Sequence, residues 1–115
     1  MFEHPLEERC HQFGKKVRTF CRRVKKDLGN IEDIKQLVRA SGSVGANYIE
    51  ANETIGDKDF KIKIKTCRRE SKESAYWLEL IGKNSSIEAQ KTARKLYEEA
   101  KELVNIFSAI ISKSS

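Results

Sequence analysis

Proline is almost missing from this 115-residue chain: the only one, Pro5, stands near the start. Without that residue, which interrupts helices and central strands alike, long regular elements can form. No apolar run approaches the roughly 20 residues that span a bilayer, so a membrane-spanning helix is not expected. The stretch Met1 to Glu8 carries Glu3, Glu7 and Glu8 and lacks the apolar core of a signal peptide. Cysteine is scarce and odd in number: Cys10, Cys21 and Cys67, with no Cys-x-x-Cys pair. Reduced, buried thiols and a cytoplasmic setting are the expectation.

Histidine is scarce too, and this bears on chemistry. A lone Glu-x-x-His, Glu8-Arg9-Cys10-His11, has no second copy with which to build a dimetal site, and His4 precedes the first helix. Gly42-Ser43-Val44-Gly45 lacks the Gly-Lys-Ser/Thr ending and the preceding strand of a phosphate loop. With no nucleophile, base or metal set converging, the expectation is a non-enzyme with no catalytic residue, metal or cofactor.

What the chain does have is a heptad-like apolar rhythm that restarts four times. Phe60, Ile64, Cys67, Ser71, Ser74, Leu78 and Ile81 step by four and three, which is one stripe of a helix. Leu6, Cys10, Phe13, Val17, Phe20 and Val24 form a similar stripe earlier, and Ala93, Leu96, Ala100, Leu103, Phe107 and Ile110 form one later. The spacing predicts helices over about 5–28, 31–55, 58–81 and 86–111. Gly29 would end the first and Asn30 cap the second. Gly56 and Asp57 would separate the second and third, Gly82-Lys83-Asn84 would make the next turn, and Ser85-Ser86-Ile87-Glu88 would form a capping box. Ser112 to Ser115 read as a polar tail. Such helices with short breaks predict an all-α, single-domain, antiparallel up-down-up-down four-helix bundle.

The second helix reads Ile31, Ile34, Val38, Ser41, Gly45, Tyr48, Asn52 and Ile55. Its interior glycines cost about 1 kcal/mol each against alanine, and a loop across them is the competing reading. The apolar phase continues unchanged on both sides, which favours a helix that a neighbour approaches across Ser41, Gly42, Gly45 and Ala46. Asn52 is expected as a satisfied polar group in the core. The opposite face carries Arg39, Ser43, Asn47 and Glu50, with Glu50 expected to meet Arg68, Arg69 or a base of another subunit.

On the third helix, Ile62, Tyr76, Trp77 and Leu80 lie away from the core stripe at about 100° per residue. A lone bundle cannot hide both faces, so this set is expected to form a homo-oligomer interface. Wide burial of that helix is the plainer alternative.

Net charge is +6 and unevenly spread. Lys15, Lys16, Arg18, Arg22, Arg23, Lys25 and Lys26 follow one another with no acid between them. A second run, Lys58 to Lys72, is diluted by Asp59 and Glu70. Lys15, Arg18, Arg22 and Lys26 share the face opposite the first core stripe and are the expected contacts to RNA or DNA phosphates. An acidic protein partner is the alternative.

The run Ser41-Gly42-Ser43-Val44-Gly45-Ala46-Asn47-Tyr48-Ile49-Glu50-Ala51-Asn52-Glu53, followed by Asp59-Phe60 and Glu73-Ser74-Ala75-Tyr76-Trp77-Leu78, resembles a bacterial family. These are the four-helix-bundle proteins of 23S ribosomal RNA intervening sequences, to which the accessory variability determinants of diversity-generating retroelements are related. The resemblance covers nearly the whole chain. It implies a cytoplasmic homopentamer and, for the retroelement relatives, binding of nucleic acid and of a reverse transcriptase. It implies no catalytic residue.

Overall fold

Four helices account for nearly all of the computed structural model, which describes residues 2, 4–83 and 85–113. They are α1 (Pro5–Arg23), α2 (Ile31–Asn52), α3 (Asp57–Lys83) and α4 (Ile87–Lys113), packed as an antiparallel all-α bundle. Asn84 in the expected turn, Ser114 and Ser115 of the expected tail, and Met1 and Glu3 lie outside the described residues.

The third stripe is buried as expected, with Ile64, Cys67, Ser71, Ser74, Leu78 and Ile81 inside and Phe60 packed on the core edge. It meets Phe13 and Val17 of α1, Leu37 and Val44 of α2, and Leu103 and Phe107 of α4 in one continuous core. Each large side chain removed from water here contributes about 1.5–3 kcal/mol. The serines in this core return their hydroxyls to their own helix: Ser71 Oγ donates to the Cys67 carbonyl at 2.8 Å and Ser74 Oγ to that of Glu70 at 2.9 Å. A small polar residue therefore lies buried without an orphaned donor.

The glycine-rich middle of α2 is helical throughout. At Gly45 a Cβ would stand 3.4 Å from Cys10 Cβ, so α1 crosses α2 where side chains are smallest. Ala46, by contrast, is exposed. The buried arc of α2 centres on Leu37, Ala40, Val44 and Ala51, with Ile34, Ser41 and Tyr48 beside it. It is turned from the expected stripe because α2 is shared between α1 and α3: the residues read from spacing form its α1-facing edge. Asn52 consequently is not a core group. It is exposed and its Nδ2 donates to Glu7 Oε2 at 2.7 Å. Ile55 lies past the helix end and is exposed.

Helix α1 stops at Arg23, short of the expected Leu28, and Gly29 does not terminate it. Val24 is already extended, and Asp27 Oδ1 accepts the amides of Gly29 and Asn30 at 2.8 and 2.9 Å. This local turn competes with further helix. Asn30 Oδ1 takes the Asp27 amide, so it is committed to the turn and makes no side-chain cap to α2. The fourth helix is capped one residue later than expected, with the Ala89 amide donating to Ser86 Oγ at 3.2 Å. Gly82 and Lys83 still belong to α3, where Gly82 faces Ala93 so closely that a Cβ would come within 3.0 Å of Ala93 Cβ.

Candidate nucleic-acid interface

The basic run of α1 ends up on the outside because the stripe Cys10–Val24 claims the inner face. Lys15, Lys16, Arg22, Arg23, Lys25 and Lys26 are exposed, and none of them enters an ion pair among the described residues. Cations this close repel one another, and the last turn of α1 eases that repulsion by presenting carbonyls to them. Lys26 Nζ donates to the carbonyls of Arg22 and Val24 at 3.1 and 2.9 Å, closing the helix end while keeping its charge at the surface.

Arg18 departs from its expected place among the phosphate contacts. Its guanidinium folds over Gly42 and donates to the carbonyls of Gly14 at 2.9 Å and Val38 at 3.3 Å. The small Gly42 opens the space, and Arg18 fills it as a strap between α1 and α2.

The second basic run behaves differently. Lys63 pairs with Glu50 at 2.8 Å, so Glu50 meets neither Arg68 nor Arg69. Arg69 lies 3.9 Å from both Glu70 and Glu73. Glu70 is 6% exposed and takes Arg39 Nη1 on both carboxylate oxygens at 3.4 Å, while Arg39 Nη2 reaches Glu73 at 3.3 Å. The Arg39 to Glu50 face of α2 is thus a polar seam against α3. Glu70 escapes sequence reading because its i−3 and i+4 neighbours, Cys67 and Ser74, look like any core pair; only the partner on α2 explains a carboxylate beside them.

Of the expected oligomer contacts, Ile62 and Tyr76 are 53% and 59% exposed and Leu80 is partly so. Trp77 is half-buried against the core, edge-on to Tyr76 with centroids 4.9 Å apart, and is not part of the open face. Its Nε1 is buried with no hydrogen-bond acceptor among the described residues. Helical spacing puts Arg69 and Glu73 between Ile62 and Tyr76, so the outer apolar residues form two patches rather than one strip.

A groove of about 660 Å3 runs between the C-terminal half of α1 and the N-terminal half of α4. Those two helices touch more sparsely than the other adjoining pairs. Beyond the groove, Arg9 grips Glu99 through Nε at 2.8 Å and Nη2 at 2.7 Å and also reaches Glu102. That hydrogen-bonded pairing with Glu99 raises the Arg9 pKa further above its ordinary value.

The thiols are inert. Burial pushes Cys10 and Cys67 up to about 12 and raises Cys21, keeping all of them protonated and poorly nucleophilic at neutral pH. Glu8 accepts from Gln12, and His11 stacks against Phe2 with centroids 4.8 Å apart, so the Glu-x-x-His pair is engaged elsewhere. His4 has a role the spacing did not reveal: its Nδ1 accepts the Leu6 amide as the α1 cap, and its ring lies 3.2 Å from the Tyr48 hydroxyl. Among the described residues no cluster of His, Cys, Asp or Glu could hold a metal ion, and no helix is long and apolar enough to cross a membrane.

No curated protein matches the chain. Its fold is similar to the crystal structure of a protein with unknown function from the S23 ribosomal protein family of Bacteroides thetaiotaomicron, with a TM-score of 0.78 and 24% identity over 91% of this chain and 96% of that one. The pattern of a single family runs through all four helices, from residue 6 to residue 109, and by it the chain belongs to the 23S rRNA-intervening sequence proteins.

Proposed function

We propose that this protein is a non-enzymatic, cytoplasmic homo-oligomer that binds RNA or DNA through phosphate contacts on α1. The observation that carries the reading is the exposed row Lys15, Lys16, Arg22, Arg23 and Lys25, free of ion pairs among the described residues. Cations without internal partners displace counterions from a phosphate backbone at little structural cost. Arg18 stands outside this row, since its guanidinium is folded over Gly42 and bonded to the carbonyls of Gly14 and Val38. Association of copies through Ile62, Tyr76 and Leu80, in the pentamer that the sequence resemblance implies, would repeat the row around the assembly and raise avidity.

Fluorescence polarisation with labelled RNA and DNA tests the reading. Binding should weaken steeply between about 50 and 200 mM salt with little sequence preference. No binding to either at about 50 mM salt overturns it. Light scattering tests the assembly: a mass of 13.2 kDa at micromolar concentration would refute self-association.

The second reading is a scaffold that docks an acidic or reverse-transcriptase-like protein, favoured by the same exposed patches on α3. Affinity capture separates the two, since nuclease should release partners only when nucleic acid bridges them.

A further inference from the structure

We infer that the α1–α4 groove seats an unpaired base, making this a single-strand binder. The inference rests on the nucleic-acid reading above and specifies its ligand. Three observations converge on the groove. Its floor is apolar, formed by Phe20, Val24 and Leu96. Its rims carry Lys16 and Arg23 from α1 and Lys95 from α4, none in an ion pair among the described residues. Of its acids, Glu99 is held by Arg9 beyond one end, leaving Glu88 at the other.

Lys16 and Arg23 stand one helical step from Lys15 and Arg22 on the outer face of α1. A polyanion lying along that face therefore has its phosphates over the cations and its bases beside the groove. In a duplex the bases are stacked and paired, so only their edges show in the grooves and no base face can reach the apolar floor. In a single strand a base can leave its neighbours and exchange stacking for the apolar floor, which any base can do. About 660 Å3 is ample for a nucleobase. An acidic protein helix in the groove would meet the rim cations and leave Lys15 and Arg22 unmatched, whereas a strand engages both sets. Glu88 would face the amino groups of the seated base.

The test is polarisation with a labelled single-stranded RNA and the same sequence annealed to its complement, in about 100 mM salt. The wild-type protein should bind the single strand about tenfold more tightly than the duplex. Thr92→Trp, at an exposed groove position, should fill the seat and reduce that ratio to about twofold while leaving duplex affinity unchanged. Thr92→Glu, which adds an acid without bulk, should lower single-strand affinity more than duplex affinity, and circular dichroism confirms that both variants fold. A 2-aminopurine in the single strand should change its emission on binding to wild type and not to Thr92→Trp. Equal wild-type binding of both forms overturns the seat and leaves the phosphate reading standing. A preference that survives Thr92→Trp also overturns it, and would leave the groove to a protein helix. Failure to bind either form removes both ideas together.

Discussion

The two basic stretches carry similar numbers of lysines and arginines and yet present different surfaces. In α3 the bases meet acids: Lys63 with Glu50, Arg69 with Glu70 and Glu73, and Arg39 arriving from α2 to the same carboxylates. The stretch Lys15–Lys26, in α1 and just past its end, contains no acid, and none of its cations enters an ion pair among the described residues. Charge on a helix is therefore a poor guide to field until its cross-helix partners are known. Lys63 and Arg69 of α3 are matched by acids of the bundle; among the described residues, the cations of the Lys15–Lys26 stretch are not.

The sharpest way to break this contrast is to neutralise equal numbers on each side. Lys15→Gln/Arg22→Gln/Arg23→Gln should weaken RNA binding by about a hundredfold at low salt and flatten its salt dependence. Lys63→Gln/Arg69→Gln/Lys83→Gln, which removes α3 cations that are paired with acids, should cost less than about tenfold. Equal losses in polarisation would mean that net charge alone governs binding.

The platform beneath the α1 cations can be broken next. Gly45→Leu should destabilise by about 2–3 kcal/mol in urea melts, because Cys10 blocks the new side chain. Ser43→Leu, off that crossing, should cost less than about 1 kcal/mol. Arg39→Ala sharpens the α3 side: it strips the nearly buried Glu70 of its nearest cation and should cost about 1 kcal/mol, a modest figure because Arg39 itself is half exposed. Glu73→Ala, whose carboxylate is more exposed, should cost less.

The smallest effect lies in alkali. Cys10 and Cys67 hold their protons up to about 12 in the fold, against 9.0 when unconstrained. Below pH 9 both states are protonated and these thiols leave stability unchanged. Between about 9 and 12 the unfolded chain releases protons that the fold retains, so stability declines as pH rises. Melting temperature followed from pH 8 to 10 should fall less steeply in Cys10→Ala/Cys67→Ala than in wild type.

Much of the bundle was legible because the third and fourth stripes each bury one uniform face, so a spacing of three and four suffices to find Ile64, Leu78, Leu103 and Phe107. The second helix was legible as a helix but not in its rotation, since packing between two neighbours broadens the buried arc and carries Asn52 out of it. The end of α1 was misread because Asp27 and Asn30 build a turn from their own side chains, which periodicity does not report. In the candidate site the cations were visible as a run, but their fates were not. Arg18 bends over Gly42, a contact between residues far apart in sequence, and no local pattern distinguishes it from Arg22. The groove likewise arises from how loosely α1 and α4 pack, which is a property of the assembled bundle.

The sparse contact between α1 and α4 has a dynamic consequence. Arg9 fastens one end of α1 to Glu99, while the other end, packed through Phe20 and Val24, runs into an extended segment with no such clasp to α4 among the described residues. Opening fluctuations should thus begin at Arg23 and swing about the Arg9 end, exposing amides there to deuterium well before those of α3. The helix that carries the free cations is then also the one best able to yield around whatever settles against it.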